Sequence, residues 1–201
     1  MSNKPRLLVL TGPQGSGNHL FSKIFAQHPS VYGWRMQTYW EGHHHEPFAK
    51  EWQMPSCLYE FEWQKHEYIF TSISCPYARN QEYHIPKYEE FLKISSYYAD
   101  VKVAIIGRDK NILELQEKRV RQKRTYDQFI EQLDILEKYN PTYLSHELYN
   151  LYGNRYLQSI SKLLDFPIAV QDPSQDANRK YVVQVDTQDL DLEVNKAVQE
   201  S

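Results

Sequence analysis

One segment near the start of the chain places a strand, a glycine-rich turn and a helix in immediate succession. Residues 6–11 form a short apolar run that Pro5 and a set of glycines enclose, which is typical of a buried strand. From Asn18 apolar residues recur at helical spacing until His28-Pro29, where the residue before proline disfavours helix. The segment predicts a central strand followed by a helix on one face of a sheet.

Further apolar runs alternate with helical patterns along the chain. This alternation predicts a three-layer α/β fold with a central, mainly parallel sheet flanked by helices. We expect one domain over residues 1–180, and a tail over residues 181–201 that adds an edge strand and ends in frayed chain. The predicted strands are residues 31–34, 68–73, 101–106, 143–144 and 167–170, and the predicted helices are residues 87–99, 111–123, 126–139 and 156–164.

Composition narrows the class of protein without indicating its chemistry. The chain has 201 residues and a net charge of −3, so it offers no bulk attraction to nucleic acid or to an anionic membrane. No apolar run approaches the roughly eighteen residues that a membrane span requires, and no signal-peptide core follows Met1. We therefore expect a cytoplasmic protein in which Cys57 and Cys75 are reduced thiols.

The glycine-rich turn has the composition of an anion site. Its candidate binding residues are Gly12, Gly15, Ser16, Gly17, Asn18 and His19. Glycines allow successive backbone N–H groups to point into one concavity, and the following helix adds its positive end. The position between a buried strand and a helix favours phosphate binding, and the alternative is a tight turn whose glycines only satisfy backbone geometry.

The turn departs from the nucleotide-kinase pattern G-x-x-x-x-G-K-S/T. Gly12 and Gly17 match that pattern, but Asn18 and His19 replace the lysine and the hydroxyl residue that act on the β/γ-phosphates and on magnesium. The sequence therefore disfavours ordinary kinase or ATPase activity.

A second candidate anion site follows the strand at residues 101–106. Arg108 is expected at the carboxyl edge of the sheet, where open α/β folds bind ligands, and Gln116 lies eight residues later on a helix. Arginine offers a charged fork suited to phosphate, and glutamine adds a neutral donor. The alternative for Arg108 is a surface ion pair with Asp109 or Glu114.

Three segments together resemble the P-loop sulfotransferases, which use 3′-phosphoadenosine 5′-phosphosulfate as the sulfuryl donor. Residues 15–20 (GSGNHL) are similar to the family's 5′-phosphosulfate loop, and Ile106-Gly-Arg108 with Gln116 occupies the place of its 3′-phosphate arginine and serine. The third segment combines residues 143–148 (YLSHEL) with residues 163–167 (LLDFP), and Arg179-Lys180 resembles the family's late basic pair. The resemblance implies a P-loop fold and a co-substrate of this kind.

The sequence also departs from the family at its catalytic lysine. Sulfotransferases usually carry lysine or arginine two places before the glycine aligned with Gly17, and here that residue is Gly15. His19, Lys23 or a basic residue from elsewhere would have to supply the charge, or the protein binds its nucleotide and catalyses poorly.

Sulfuryl transfer also needs a general base near the acceptor, and the candidate catalytic residues are His19, His44 and Ser72, with Ser74 and His84 as alternatives. His44 lies in a run of three histidines, His43 to His45. Neighbouring side chains in extended backbone point to opposite faces, which makes this run a poor metal site. We expect no metal.

The basic run at residues 118–124 (KRVRQKR) is open to three interpretations. It could bind nucleic acid, it could be the solvated face of a helix, or Arg119 could contact a cofactor phosphate. The run lacks interleaved aromatic residues and the net charge is negative, which disfavours nucleic acid.

The sequence thus leads to one function with two alternatives. The first is transfer of a sulfuryl group from 3′-phosphoadenosine 5′-phosphosulfate to a hydroxyl or amine acceptor. The alternatives are a degenerate P-loop nucleotide kinase and a non-catalytic nucleotide- or phosphate-binding adaptor. The sequence indicates neither the acceptor nor the oligomeric state.

Overall fold

A computed structural model describes residues 4–33, 48–79, 82–120 and 125–169. Its strands are β1 (Arg6–Pro13), β2 (Val31–Tyr32), β3 (Tyr68–Cys75), β4 (Tyr77–Arg79), β5 (Glu82–His84), β6 (Asp100–Gly107) and β7 (Thr142–Ser145). Its α-helices are α1 (Asn18–Ala26), α2 (Tyr88–Tyr98), α3 (Lys110–Val120), α4 (Tyr126–Ile130), α5 (Leu133–Glu137), α6 (His146–Tyr152) and α7 (Asn154–Leu164). Two short 3-10 helices, Pro55–Glu60 and Trp63–Lys65, lie between β2 and β3.

The central sheet has five parallel strands in the order β2-β3-β1-β6-β7. Parallel neighbours require crossover connections, and helices supply most of them. The chain first builds the sheet on one side of β1 and then continues on the other side with β6 and β7. This reversal creates a switch point between β1 and β6, where ligands bind in open α/β sheets.

Two apolar layers cover the two faces of the sheet, as the alternation of side chains along β1 requires. Leu7 and Val9 face a cluster that contains Phe91 of α2, Phe129 of α4 and Leu136 of α5. Leu8 and Leu10 face a second cluster built by the helices α1, α6 and α7, with the side chains Phe25, Tyr149 and Ile160. The predicted three-layer α/β class with a parallel central sheet is therefore confirmed.

Buried apolar residues hold both layers in place. The β1 residues Leu7, Leu8, Val9 and Leu10 are fully buried, and each such side chain contributes about 1.5–3 kcal/mol relative to exposure. The prediction that β1 is the central strand is confirmed. Cys57 and Cys75 are free thiols, as predicted.

Several details differ from the sequence predictions. The helix predicted over residues 126–139 is divided into α4 and α5, because Gln132 N–H bonds the carbonyl of Phe129 and tightens the chain into a turn. Leu163, an apolar residue of the helix predicted over residues 156–164, is 69% exposed. Residues 167–169 form no strand, and β7 is the last strand on that side of the sheet among the described residues.

Other elements have no counterpart in the prediction. Neither α6 nor the antiparallel β4–β5 hairpin was predicted from the sequence. The predicted edge strand in the tail lies outside the described residues. No helix within the described ranges is long and apolar enough to cross a membrane.

Candidate functional site

The loop after β1 is a turn that only glycine accommodates easily. We call residues 12–18 the glycine loop. Ser16 N–H donates to the carbonyl of Pro13 at 3.1 Å, and Gly15, the third residue of that turn, has a φ of +89°. Gly17 caps α1 with a φ of +114°. Positive φ is disfavoured for residues with a Cβ, so both positions require glycine.

Unpartnered polar atoms are concentrated in the glycine loop. Gln14 Oε1, Ser16 Oγ and Asn18 Oδ1 are buried without a hydrogen-bond partner among the described residues, and the fourth such atom is Ser95 Oγ. Ser16 is fully buried, and its Oγ lies 2.7 Å from the place a Cβ on Gly12 would take. Buried polar atoms are normally paired, so this concentration marks the loop as a candidate ligand site.

Asn18 stands where the kinase pattern has its lysine, and its amide is turned into the protein. Its Nδ2 donates to Ser74 Oγ at 2.7 Å and to the carbonyl of Gly12 at 3.4 Å. The side chain therefore ties the start of α1 to β3. His19 follows in the first turn of α1 and is half-buried.

Arg108 leaves the carboxyl end of β6 and lies on the glycine loop. Its Nη1 donates to the carbonyl of Gly15 at 2.6 Å and to Oε1 of Gln116 at 3.1 Å. The sequence predicted both residues as partners of one anion, and the structure brings them together beside the loop.

Asp109 and Glu114, the two acidic residues considered as partners for Arg108, contact other groups of α3. Asp109 Oδ1 accepts from Ile112 N–H at 3.1 Å and so caps the start of α3. Glu114 lies 3.9 Å from the ammonium group of Lys110. These contacts stabilise α3 itself.

Gln116 occupies the space above Gly15. A Cβ at Gly15 would lie 2.9 Å from Cδ of Gln116 and 3.0 Å from its Oε1. A side chain at Gly15 would therefore meet Gln116, and the backbone there has a positive φ.

His146 also meets the glycine loop, and the sequence analysis did not single it out. A Cβ at Gly17 would lie 2.6 Å from Cδ2 of His146 and 3.5 Å from its Nε2. The imidazole is 2% exposed, and Asn150 Nδ2 contacts its Nδ1 at 3.0 Å. Its stretch, YLSHEL, was compared only with a family motif. The contact of His146 with Gly17 depends on packing between separate elements, for which the sequence contains no local signal.

Hydrogen bonds join the end of β7 to the end of β6. Glu147 Oε1 accepts from Asp109 N–H at 3.1 Å, and its Oε2 accepts from the hydroxyl of Ser145 at the same distance. Ser145 Oγ also accepts from Leu148 N–H and caps α6, and its own N–H donates to the phenol oxygen of Tyr156 at 2.7 Å. Hydrogen bonds thus join the carboxyl ends of β6 and β7 to each other, beside the glycine loop that follows β1.

The remaining catalytic candidates lie away from these strand ends or outside the described part. Ser72 is 6% exposed, bonds the hydroxyl of Ser22 at 2.7 Å, and is level with Leu10 inside the sheet. His84 lies in the β4–β5 hairpin, 3.9 Å from Glu82. His44 and its neighbouring histidines, Arg179-Lys180, the side chain of Arg119 and residues 121–124 fall outside the described residues.

A buried polar chain supports the glycine loop from the α2 side. The Thr11 hydroxyl donates to the carbonyl of Ile73 at 2.8 Å and so accepts from the phenol of Tyr88 at 2.6 Å. Burial raises the pKa of Tyr88 well above its ordinary value and raises the pKa of Cys75 to about 12. Both groups are therefore neutral at physiological pH.

Two cavities of the described residues lie apart from the glycine loop. One, of about 290 Å³, is lined by α7 and by Ile168 and Ala169. The other, of about 70 Å³, lies between α3 and α4. We locate the candidate site at the glycine loop because the unpartnered buried atoms and the guanidinium of Arg108 are there.

No protein-family model matches this chain, and no curated protein matches it.

Proposed function

We propose that this protein is a sulfotransferase-like enzyme, which binds 3′-phosphoadenosine 5′-phosphosulfate and transfers its sulfuryl group to a hydroxyl or amine acceptor. The observation that supports the proposal most strongly is the contact between the Arg108 guanidinium and the glycine loop, 2.6 Å at the carbonyl of Gly15. It joins two anion-binding elements, from separate strands, at the switch point of a parallel sheet.

The loop offers the groups that an oxyanion requires. The first N–H groups of α1 precede its first internal bond, from Phe21 N–H to the carbonyl of Gly17, and they project from the positive end of the helix. The buried hydroxyl of Ser16 can donate as well. In the proposed complex these donors hold the 5′-phosphosulfate, while Arg108 and Gln116 exchange their present contacts for the 3′-phosphate.

The proposed reaction breaks the bond between sulfur and the bridging oxygen of the donor. The acceptor oxygen or nitrogen forms the new bond to sulfur, its proton passes to a base, and adenosine 3′,5′-bisphosphate leaves. The chain's contribution is positioning and donation to the oxygens on which negative charge develops. His19, in the first turn of α1, is the catalytic candidate nearest in sequence to the loop.

A second candidate function, non-catalytic binding of a nucleotide or phosphate, is favoured by a specific observation. Gln116 fills the space above Gly15 where a catalytic lysine would stand. A neutral amide at that point can hold a phosphate without stabilising charge on a leaving oxygen. Turnover separates this function from the first one.

Calorimetry with adenosine 3′,5′-bisphosphate, and separately with ATP and magnesium, tests the proposal. Arg108→Ala is expected to weaken bisphosphate binding about 10- to 100-fold, because a hydrogen bond to a charged group contributes about 1.5–3 kcal/mol. Arg155→Ala is the matched control, since Arg155 lies exposed on α7, and it should leave affinity unchanged.

A sulfuryl-transfer assay with labelled donor on mixed acceptors completes the test. Bisphosphate binding with turnover supports the transferase, and binding without turnover supports the non-catalytic alternative. Magnesium-dependent binding of ATP in the absence of bisphosphate binding would contradict the sulfotransferase and favour the degenerate kinase.

A further inference from the structure

Besides the ends of β1 and β6, the end of β7 also lies at the glycine loop. The group that contacts the loop there is the imidazole of His146. His146 follows β7 directly, and the last residue of β7, Ser145, pairs with Gly107 of β6. The edge of the His146 ring lies so close to Gly17 that a Cβ there would come within 2.6 Å of Cδ2. The fold therefore sets a nitrogen-bearing ring against the residue that caps α1.

The orientation of the Asn150 amide indicates which ring nitrogen of His146 carries the proton. An amide NH2 group can only donate, so the 3.0 Å contact from Asn150 Nδ2 makes Nδ1 of His146 the acceptor. The neutral ring then carries its proton on Nε2. This is the nitrogen 3.5 Å from the place of a Cβ on Gly17, so a donor lies beside the loop.

The supports around His146 hold it in one position. Glu147, the next residue, bonds Asp109 N–H and the hydroxyl of Ser145, and Tyr156 accepts from Ser145 N–H. A side chain needed only for packing at this point could be apolar, and burying an imidazole has a desolvation cost. A fixed, oriented imidazole is preorganised to bind a ligand.

We infer that Nε2 of His146 donates a hydrogen bond to the phosphate or sulfate oxyanion held by the glycine loop. The inference rests on the proposed function for the identity of the nucleotide, although the donor would serve any oxyanion at Gly17. This hydrogen bond would also compensate for the lack of a basic side chain at Gly15. A ring nitrogen at the start of α6 serves the loop in place of a cation within the loop itself.

Three substitutions separate donation from packing. His146→Gln places an amide nitrogen near the position of Nε2, His146→Asn places one near Nδ1, and His146→Phe keeps a ring without nitrogen. Calorimetry with inorganic pyrophosphate and with adenosine 3′,5′-bisphosphate measures binding, and the melting temperature of each variant reports folding. The Asn and Phe variants are expected to lose affinity about 10- to 100-fold, with Gln within about fivefold of the unsubstituted protein.

The outcomes distinguish this inference from the proposed function. Equal affinity in all variants overturns the role of His146. An equal loss of affinity in the Gln and Asn variants overturns it as well. Both outcomes leave the proposed function standing. Binding of pyrophosphate but not of bisphosphate, with the expected order of variants, supports His146 and overturns the proposed nucleotide. Binding of neither anion overturns both, and if the Phe variant fails to fold, the comparison of Gln with Asn decides.

Discussion

Substituting Gly15 by alanine tests the packing of the glycine loop against Gln116. The backbone at Gly15 has a φ of +89°, and holding an L-residue in the left-handed region costs about 1–2 kcal/mol. The new Cβ would also lie 2.9–3.1 Å from the end of the Gln116 side chain. That end is flexible, so it can move, but moving it breaks the bond from Arg108 to Oε1.

The backbone strain and the broken hydrogen bond predict that the effects of substituting Gly15 and Gln116 are coupled. The broken bond lies in a part-buried place and contributes about 1 kcal/mol, so Gly15→Ala should lower the free energy of unfolding by about 2–3 kcal/mol. In a Gln116→Ala background only the backbone strain remains, about 1–2 kcal/mol. The double variant should therefore lose about 1 kcal/mol less than the sum of the single variants.

Urea unfolding of the four proteins measures this coupling. Gly153→Ala is the control, because Gly153 has a φ of +52° and an added Cβ there meets nothing within 4 Å. It should show strain and no coupling to Gln116. Additive effects of Gly15→Ala and Gln116→Ala, within about 0.3 kcal/mol, would refute the contact between Gly15 and Gln116.

Two further predictions concern buried groups away from the loop. Glu117 is 6% exposed and its Oε1 accepts from Thr125 N–H at 2.7 Å and from Tyr126 N–H at 2.9 Å, so Glu117→Ala should destabilise the protein by about 3 kcal/mol in urea unfolding. A loss below about 1 kcal/mol would contradict this. Cys75 has its pKa raised from 9.0 to about 12 by burial, so its contribution to stability is complete below pH 9 and is lost as pH rises toward 12. Alkaline unfolding of Cys75→Ala should therefore depend less on pH than that of the unsubstituted protein, and identical profiles would count against the shift.

The part of the fold that the sequence predicts well is the part governed by local patterns. The run at residues 6–11 is too apolar for any place except a buried strand, and the glycines after it demand a turn. The break between α4 and α5 escaped prediction because apolar spacing is compatible with one helix. It is set by the Gln132 bond to Phe129, which side-chain periodicity does not reveal.

The sequence predicted only those parts of the candidate site whose role depends on local backbone geometry or on a position at the end of one strand. The glycine loop and Arg108 were identified because glycine spacing and a strand-terminal arginine have direct structural meaning. The position of Gln116 above Gly15 and that of His146 against Gly17 depend on packing between separate elements. A single sequence contains no local signal for such contacts.

The central claim is that the glycine loop holds an oxyanion on its backbone amides, and selective ¹⁵N-glycine labelling tests it most directly. The chain has seven glycines, so a heteronuclear spectrum contains few resonances to follow during titration with adenosine 3′,5′-bisphosphate. The account predicts saturable shifts at Gly15 and Gly17, with Gly33 and Gly153 unchanged. Saturable shifts at Gly33 or Gly153 with Gly15 and Gly17 unmoved, or no shift at all, would contradict it.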